Sequence, residues 1–131
     1  MNAVQKAELV AYKMARAKET LIEAEILINN KLLFASVNRI YYACFYAVNA
    51  LLINNGLNAK KHSGVRQMLG LHFVTPGIIS KEAGKFYTEI FNQRQKGDYE
   101  DMVYFNEEEV LALLEPAKQL ISQIEQILYK Q

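Results

Sequence analysis

Apolar residues recur along most of this chain at helical spacing, and one stretch departs from that pattern by being apolar almost all round. The segment Asn38-Arg39-Ile40-Tyr41-Tyr42-Ala43-Cys44-Phe45-Tyr46-Ala47-Val48-Asn49-Ala50-Leu51-Leu52-Ile53 contains no Gly, no Pro and no acidic residue. A helix with so little polar surface must be covered on most sides, so the segment predicts a central helix. A strand of that length is excluded, because strands usually run to about 5–6 residues. A membrane span needs ~20 apolar residues, and this run is shorter and carries Asn38, Arg39 and Asn49. The helix is expected to begin around Leu32–Ser36 and to stop at Asn54-Asn55-Gly56, with Gly56 just past its end.

The flanking segments show the narrower stripe of helices with one buried face. From about Gln5 to Ile28, Met14, Ala17, Leu21, Ala24 and Ile28 make a seam while most charges fall elsewhere. Asn29-Asn30-Lys31 ends this first helix, since Asn tolerates the left-handed cap conformation. Val65, Met68 and Leu69 suggest a short third helix, and Thr75-Pro76-Gly77 a turn. Ser80 is positioned to cap a fourth helix that runs to about Lys96, with Phe86, Ile90 and Phe91 inward and Gly97-Asp98-Tyr99 as its breaker. Asn106-Glu107-Glu108-Glu109 has the form of a capping box and opens a last helix reaching about Tyr129. Pro116 predicts a kink there, because its ring clashes with the carbonyl of Ala112. No segment reads as a strand. The expected fold is all-α, an up-and-down bundle of four long helices plus one short one.

Composition narrows the function classes. A chain of 131 residues suits one domain over 1–131 and is long enough to bury a core. With 51% hydrophobic and 22% charged residues it falls in the globular class. The net charge of +1 supplies no global field for nucleic acid or an anionic membrane, so an anion site has to be local. Cys44, the single cysteine, sits inside the central helix and reads as a small buried hydrophobe. Lys6 and Glu8 interrupt any signal-peptide pattern, and the expectation is a cytoplasmic protein without a membrane partner. His62 and His72 have no Cys, His or carboxylate at zinc-site spacing, so neither a metal nor a cofactor is expected.

Three polar groups remain as candidate chemistry. One is Asn38-Arg39 with Tyr41-Tyr42; Asn38, Tyr42 and Tyr46 share a helix face. These side chains either bond neighbouring helices and fix the packing or line a polar cleft. The second is Lys60-Lys61-His62-Ser63-Gly64, the most basic stretch, which reads either as a solvated turn or as an anion contact. The third is Arg94-Gln95-Lys96-Gly97-Asp98-Tyr99. A guanidinium presents its donors in a fixed fork that suits phosphate, while its structural alternatives are the helix dipole or an Arg94–Asp98 ion pair.

The stretches NRIYYACFYAVNALLINNG at 38–56, KKHSGV at 60–65 and FNQRQKGDYED at 91–101 together resemble the HEPN domain, and within it a small stand-alone bacterial and archaeal branch. The resemblance covers about Ser36 to Leu128. It implies a bundle of four to five helices, often a homodimer, encoded in many cases beside a minimal nucleotidyltransferase, with several members acting as toxins that cleave RNA. Ribonuclease members carry an Arg followed after four to six residues by His, the two acting across a cleft between subunits. The Arg corresponds to Arg94, but the His position falls on Tyr99, Glu100 or Asp101, none of which is histidine. A Tyr with pKa about 10 and an Asp near 4 are poorly matched to moving the proton of a ribose hydroxyl. His62 substitutes only if the fold or a dimer brings it to Arg94. Some such toxins are silenced by nucleotidyl transfer to a Tyr two residues beyond the His; the matching offset here is Asp101, and Tyr99 or Tyr104 would be different acceptors.

Three functions follow. The first is a binding module that holds a nucleotide or RNA phosphate in a dimer cleft through Arg94, Asp98, Tyr99, Asn38, Arg39, Tyr42 and Lys61, working with a minimal nucleotidyltransferase in a toxin–antitoxin-type pair. The second is a metal-independent ribonuclease toxin, with Arg94, Asp98 and His62 as catalytic candidates. The third is a non-catalytic helical interaction module.

Overall fold

A computed structural model describes residues 1–100 and 103–130. Among these residues there is no strand. Helix α1 spans Ala3–Asn29 and α2 Leu33–Asn54. The short α3, His62–Leu69, runs directly into a single π turn, Gly70–Val74. Helix α4 spans Lys81–Tyr99, and the last rod is divided into α5, Glu107–Leu111, and α6, Leu114–Leu128. The expected four long rods and one short one are therefore present.

Helix α2 is the axis. Its buried residues, among them Val37, Ile40, Tyr41, Cys44, Val48, Leu51 and Leu52, point in nearly every direction. It packs against α1, α3, α4, α5 and α6. Small residues set how close the first two helices come: Ala17 and Ala24 of α1 and Ala43, Ala47 and Ala50 of α2 are all fully buried. The Ser36 hydroxyl fastens this seam by donating to the Ala24 carbonyl at 3.0 Å. Such a hydroxyl, buried without a partner, would cost about 1–3 kcal/mol. Among the described residues no helix is long and apolar enough to cross a membrane.

The ends of the elements follow local chemistry, with two departures from expectation. Ser80 accepts from the Ala83 amide, Asn106 from the Glu109 amide, and Gly56 adopts φ +69° just past α2. After α1, however, it is Lys31 that takes the left-handed conformation, at φ 62°, while Asn30 stays at φ −99°. The Lys31 ammonium is paired with Glu107 at 2.6 Å, which ties this turn to the start of α5. Gly97 does not break α4, which continues to Tyr99. The residue fits because the glycine leaves room for Phe105, whose ring edge lies 3.3 Å from where a Cβ would stand. The last helix is interrupted at Ala112–Leu113, one turn before Pro116. Pro116 has no N–H for the Ala112 carbonyl, so the break sits at the bond the proline removes.

Two glycines at the α3–α4 junction predict opposite stability changes. A Cβ on Gly84 would lie 2.8 Å from Val74 Cγ2, and a β-branched Val has little rotamer freedom to withdraw. Overpacking of about 1–3 kcal/mol should outweigh the ~1 kcal/mol gain in helix propensity, so Gly84→Ala lowers stability. A Cβ on Gly70 meets nothing within 4 Å, and the backbone there is right-handed helical at φ −60°. Gly70→Ala should therefore add about 0.5–1 kcal/mol. Urea unfolding of the two variants beside the wild type checks both signs; a stabilised Gly84→Ala would show that Val74 yields without cost.

Candidate functional site

Helix spacing puts Asn38, Tyr41, Tyr42 and Phe45 of α2 on adjoining turns. The chain then brings two later residues onto this aromatic patch, His62 from the first turn of α3 and Arg94 from the last turns of α4. The Tyr41 hydroxyl and His62 Nδ1 are 2.6 Å apart. The His62 ring also stacks on Phe45 at 4.5 Å and meets Tyr42 edge-on at 5.8 Å. The Arg94 guanidinium lies 4.8 Å over the Tyr41 ring and 5.8 Å from the Tyr42 ring. Tyr41 thus links the sequence-distant His62 and Arg94.

Arg94 is only 8% exposed, which is unusual for a charged group and requires compensation. Two aromatic faces supply part of it through the ring quadrupole. Asp98, one turn along α4, supplies the rest, accepting from Nη1 at 3.1 Å. The Nε–H of Arg94 is buried without a hydrogen-bond partner among the described residues. The partner carboxylate is the more open of the two groups, the Asp98 side chain being 36% exposed. A second guanidinium, Arg39, sits 5.3 Å over Tyr42, donates to Asn38 Oδ1 at 3.0 Å and lies 3.8 Å from Glu23. Tyr42 therefore has two cations on it.

The surroundings shift the titrating groups. Burial pushes the Tyr41 hydroxyl up to about 12, and raises Tyr87 and Cys44 as well, so none of the three ionises near neutrality. Partial burial, and secondarily the Arg94 charge, lowers His62 below its ordinary 6.5. The imidazole is thereby held neutral at pH 7, the form that accepts a proton. A base depressed on folding binds fewer protons folded than unfolded. Its stabilising effect is complete above about pH 6.5 and is lost as pH falls through the folded value. Thermal unfolding between pH 7 and 5 should show a drop in Tm for the wild type that is smaller in His62→Gln; equal slopes would place His62 in ordinary solvent.

The remaining candidates divide. Asn38, Arg39, Tyr42, His62, Arg94 and Asp98 form one connected cluster. Lys61 precedes His62 but is exposed and makes no capping bond. Tyr99 is 75% exposed and lines a separate polar cleft of about 650 Å³ with Glu89, Asn92, Lys96 and Glu100. Tyr104 is exposed too, while Phe105 packs edge-on against Phe34 at 5.1 Å. Asp101 lies outside the described residues. Among those described, no three potential metal ligands lie together. The sequence reading missed the linking role of Tyr41 and the contributions of Phe45 and Arg66. Arg66 follows His62 by one turn of α3, and its guanidinium stands 4.7 Å over the Phe91 ring. The two i, i+4 pairs, Tyr41/Phe45 and His62/Arg66, were the available signal.

Comparison with known proteins places a HEPN domain match over residues 10–127. A UPF0332 protein of Thermotoga maritima is 42% identical over 124 residues, covering 95% of this chain and 94% of that one. Two proteins of Methanocaldococcus jannaschii, both named as putative toxins, are also similar. One is 47% identical over 83 residues, 63% of this chain and 62% of its own length. The other is 36% identical over 99 residues, 76% of this chain and 67% of its own length.

Proposed function

Because this chain belongs to the HEPN family, we propose that it is a toxin-type HEPN protein that holds a nucleotide or RNA phosphate at the Arg94–His62 cluster, as a dimer working with a minimal nucleotidyltransferase. The observation that carries this reading is the meeting of Arg94 and His62 on the Tyr41 ring. A phosphate suits the cluster on three counts. The Arg94 fork offers donors in phosphate geometry, including an Nε–H with no partner among the described residues. Arg39 adds a second positive charge across Tyr42. Asp98 occupies the anion position in the free protein and is exposed enough to leave it. The toxin setting is supported by the names of the Methanocaldococcus relatives.

Calorimetric titration with ATP, other nucleotides and a short RNA tests the reading. Binding that weakens with salt is the expected result; no heat with any of them rejects it.

The position and neutral state of His62 favour a second reading, a metal-independent ribonuclease. A neutral imidazole beside a guanidinium is suited to taking the proton of a ribose 2′-hydroxyl while the cation stabilises charge growing on the phosphate. His62 would then do what the missing histidine after Arg94 does in ribonuclease members. Cleavage of RNA in chelator is expected on this reading, and intact RNA removes it while leaving the binding function in place.

A further inference from the structure

A cleft of about 410 Å³ opens between α3, the π turn and the first half of α4. Its accessible surface is aliphatic: Gly70, Val74, Gly84 and Thr88 are half-buried along it, and the Cβ direction of Gly70 is open. Arg66, Lys81 and Lys85 stand around it, and the lysine stems extend the apolar surface. No acidic residue lines the cleft, and none of the three cations is in an ion pair among the described residues. An aliphatic hollow ringed by positive charge fits an aliphatic side chain with carboxylates beside it.

The chain itself carries such a group. Leu111, at the end of α5, is 47% exposed. Glu108 precedes it by three residues on the same helix face, and Glu115 follows it in the first turn of α6. Both carboxylates are exposed, and neither is in an ion pair among the described residues. The two features are also placed to meet. The cleft runs along Lys81, Gly84, Lys85 and Thr88 of α4. The α5–α6 junction faces Phe86, Glu89 and Gln93 of the same helix across a smaller cleft. These two sets lie on either side of the exposed ridge of α4, with Lys85 and Glu89 as its shoulders. A two-fold axis over that ridge carries each cleft toward the other copy's α5, so the contact is made twice and closes.

We propose that two copies of this chain associate through this surface, the partner's Leu111 seated in the cleft with the partner's Glu108 and the partner's Glu115 against Lys81 and Lys85. The inference rests on the dimer proposed above and names its surface; it does not depend on what Arg94 binds.

Sedimentation equilibrium of the full chain over a range of concentrations gives the dimer dissociation constant. Leu111→Ala should raise it on the order of a hundredfold, about tenfold for each copy of the contact. Lys81→Glu with Lys85→Glu should raise it by setting like charges together, and so should Glu108→Lys with Glu115→Lys; all four changes in one chain should restore association. The five positions are exposed, so the variants keep the fold, which unchanged far-ultraviolet circular dichroism checks. If the wild type dimerises and these variants share its dissociation constant, or the four-fold charge swap fails to restore it, the inference is wrong and the dimer lies on another face. If the wild type is a monomer at every concentration, the dimer proposed above falls and this surface with it. Calorimetry with ATP reads the Arg94 site separately: absence of heat from an intact dimer rejects the phosphate reading and leaves the interface standing.

Discussion

Arg94→Ala should weaken RNA binding by about 10–100-fold and also destabilise the fold. The binding figure is the worth of hydrogen bonds to a charged group, about 1.5–3 kcal/mol. The stability loss comes from the two aromatic rings that the guanidinium covers, at about 0.5–2 kcal/mol for each such contact. Truncation also leaves a gap between Tyr41 and Tyr42 and strips Asp98 of its partner. Arg94→Lys separates the two roles. It keeps the charge but loses the fork and the planar stack, so binding should recover only partly. Asp98→Asn adds a third point: it removes the internal competitor for the guanidinium and should strengthen RNA binding. Wild-type affinity in a folded Arg94→Ala protein would end the assignment of the phosphate to this cluster.

Tyr41→Ala is expected to be the most damaging single change to the fold, at about 3–5 kcal/mol, the range for removing a large aromatic from a core. Tyr41 is fully buried and touches Tyr42, Phe45, His62, Tyr87, Phe91 and Arg94. Its loss therefore opens a cavity and releases both polar side chains at once. Tyr41→Phe retains the ring and gives up only the hydroxyl's bond to His62, a change of about 0.5–1.5 kcal/mol. Chemical denaturation of the pair should show this gap; similar losses in both would mean that the hydroxyl, not the ring, holds the cluster together.

The rods were legible because burial writes itself into the sequence with the helical period. The all-round apolar surface of residues 38–53 announced a covered helix, and α2 packs against five others. The seam of Met14, Ala17, Leu21, Ala24 and Ile28 is buried in full. Local caps were legible for the same reason, since Ser80 and Asn106 act on amides three residues away. The site was legible only in its parts. Arg94 and Asp98 sit one helical turn apart, so their pairing could be anticipated, whereas the approach of His62 to Arg94 depends on how α3 crosses the bundle. No spacing along the chain encodes that crossing. Tyr99 lies away from this cluster because α4 runs on through Gly97, and the residue five places after Arg94 on a continuing helix is on a different face. Lys31 in a left-handed conformation was unreadable locally, because what accompanies it is an ion pair with Glu107, far along the chain.

The alanine seam between α1 and α2 has a consequence for how the molecule assembles. These two helices are consecutive, joined by a tight turn, and share the most extensive packing in the bundle. Pairing of neighbours in sequence closes only a short loop, so little chain entropy opposes it. Their hairpin is therefore expected to form first, with the Tyr41–Tyr42–Phe45 patch in place before the later helices pack on it. Histidine and arginine would then be recruited to an aromatic surface that exists ahead of them, and the order of folding would follow the order of the chain.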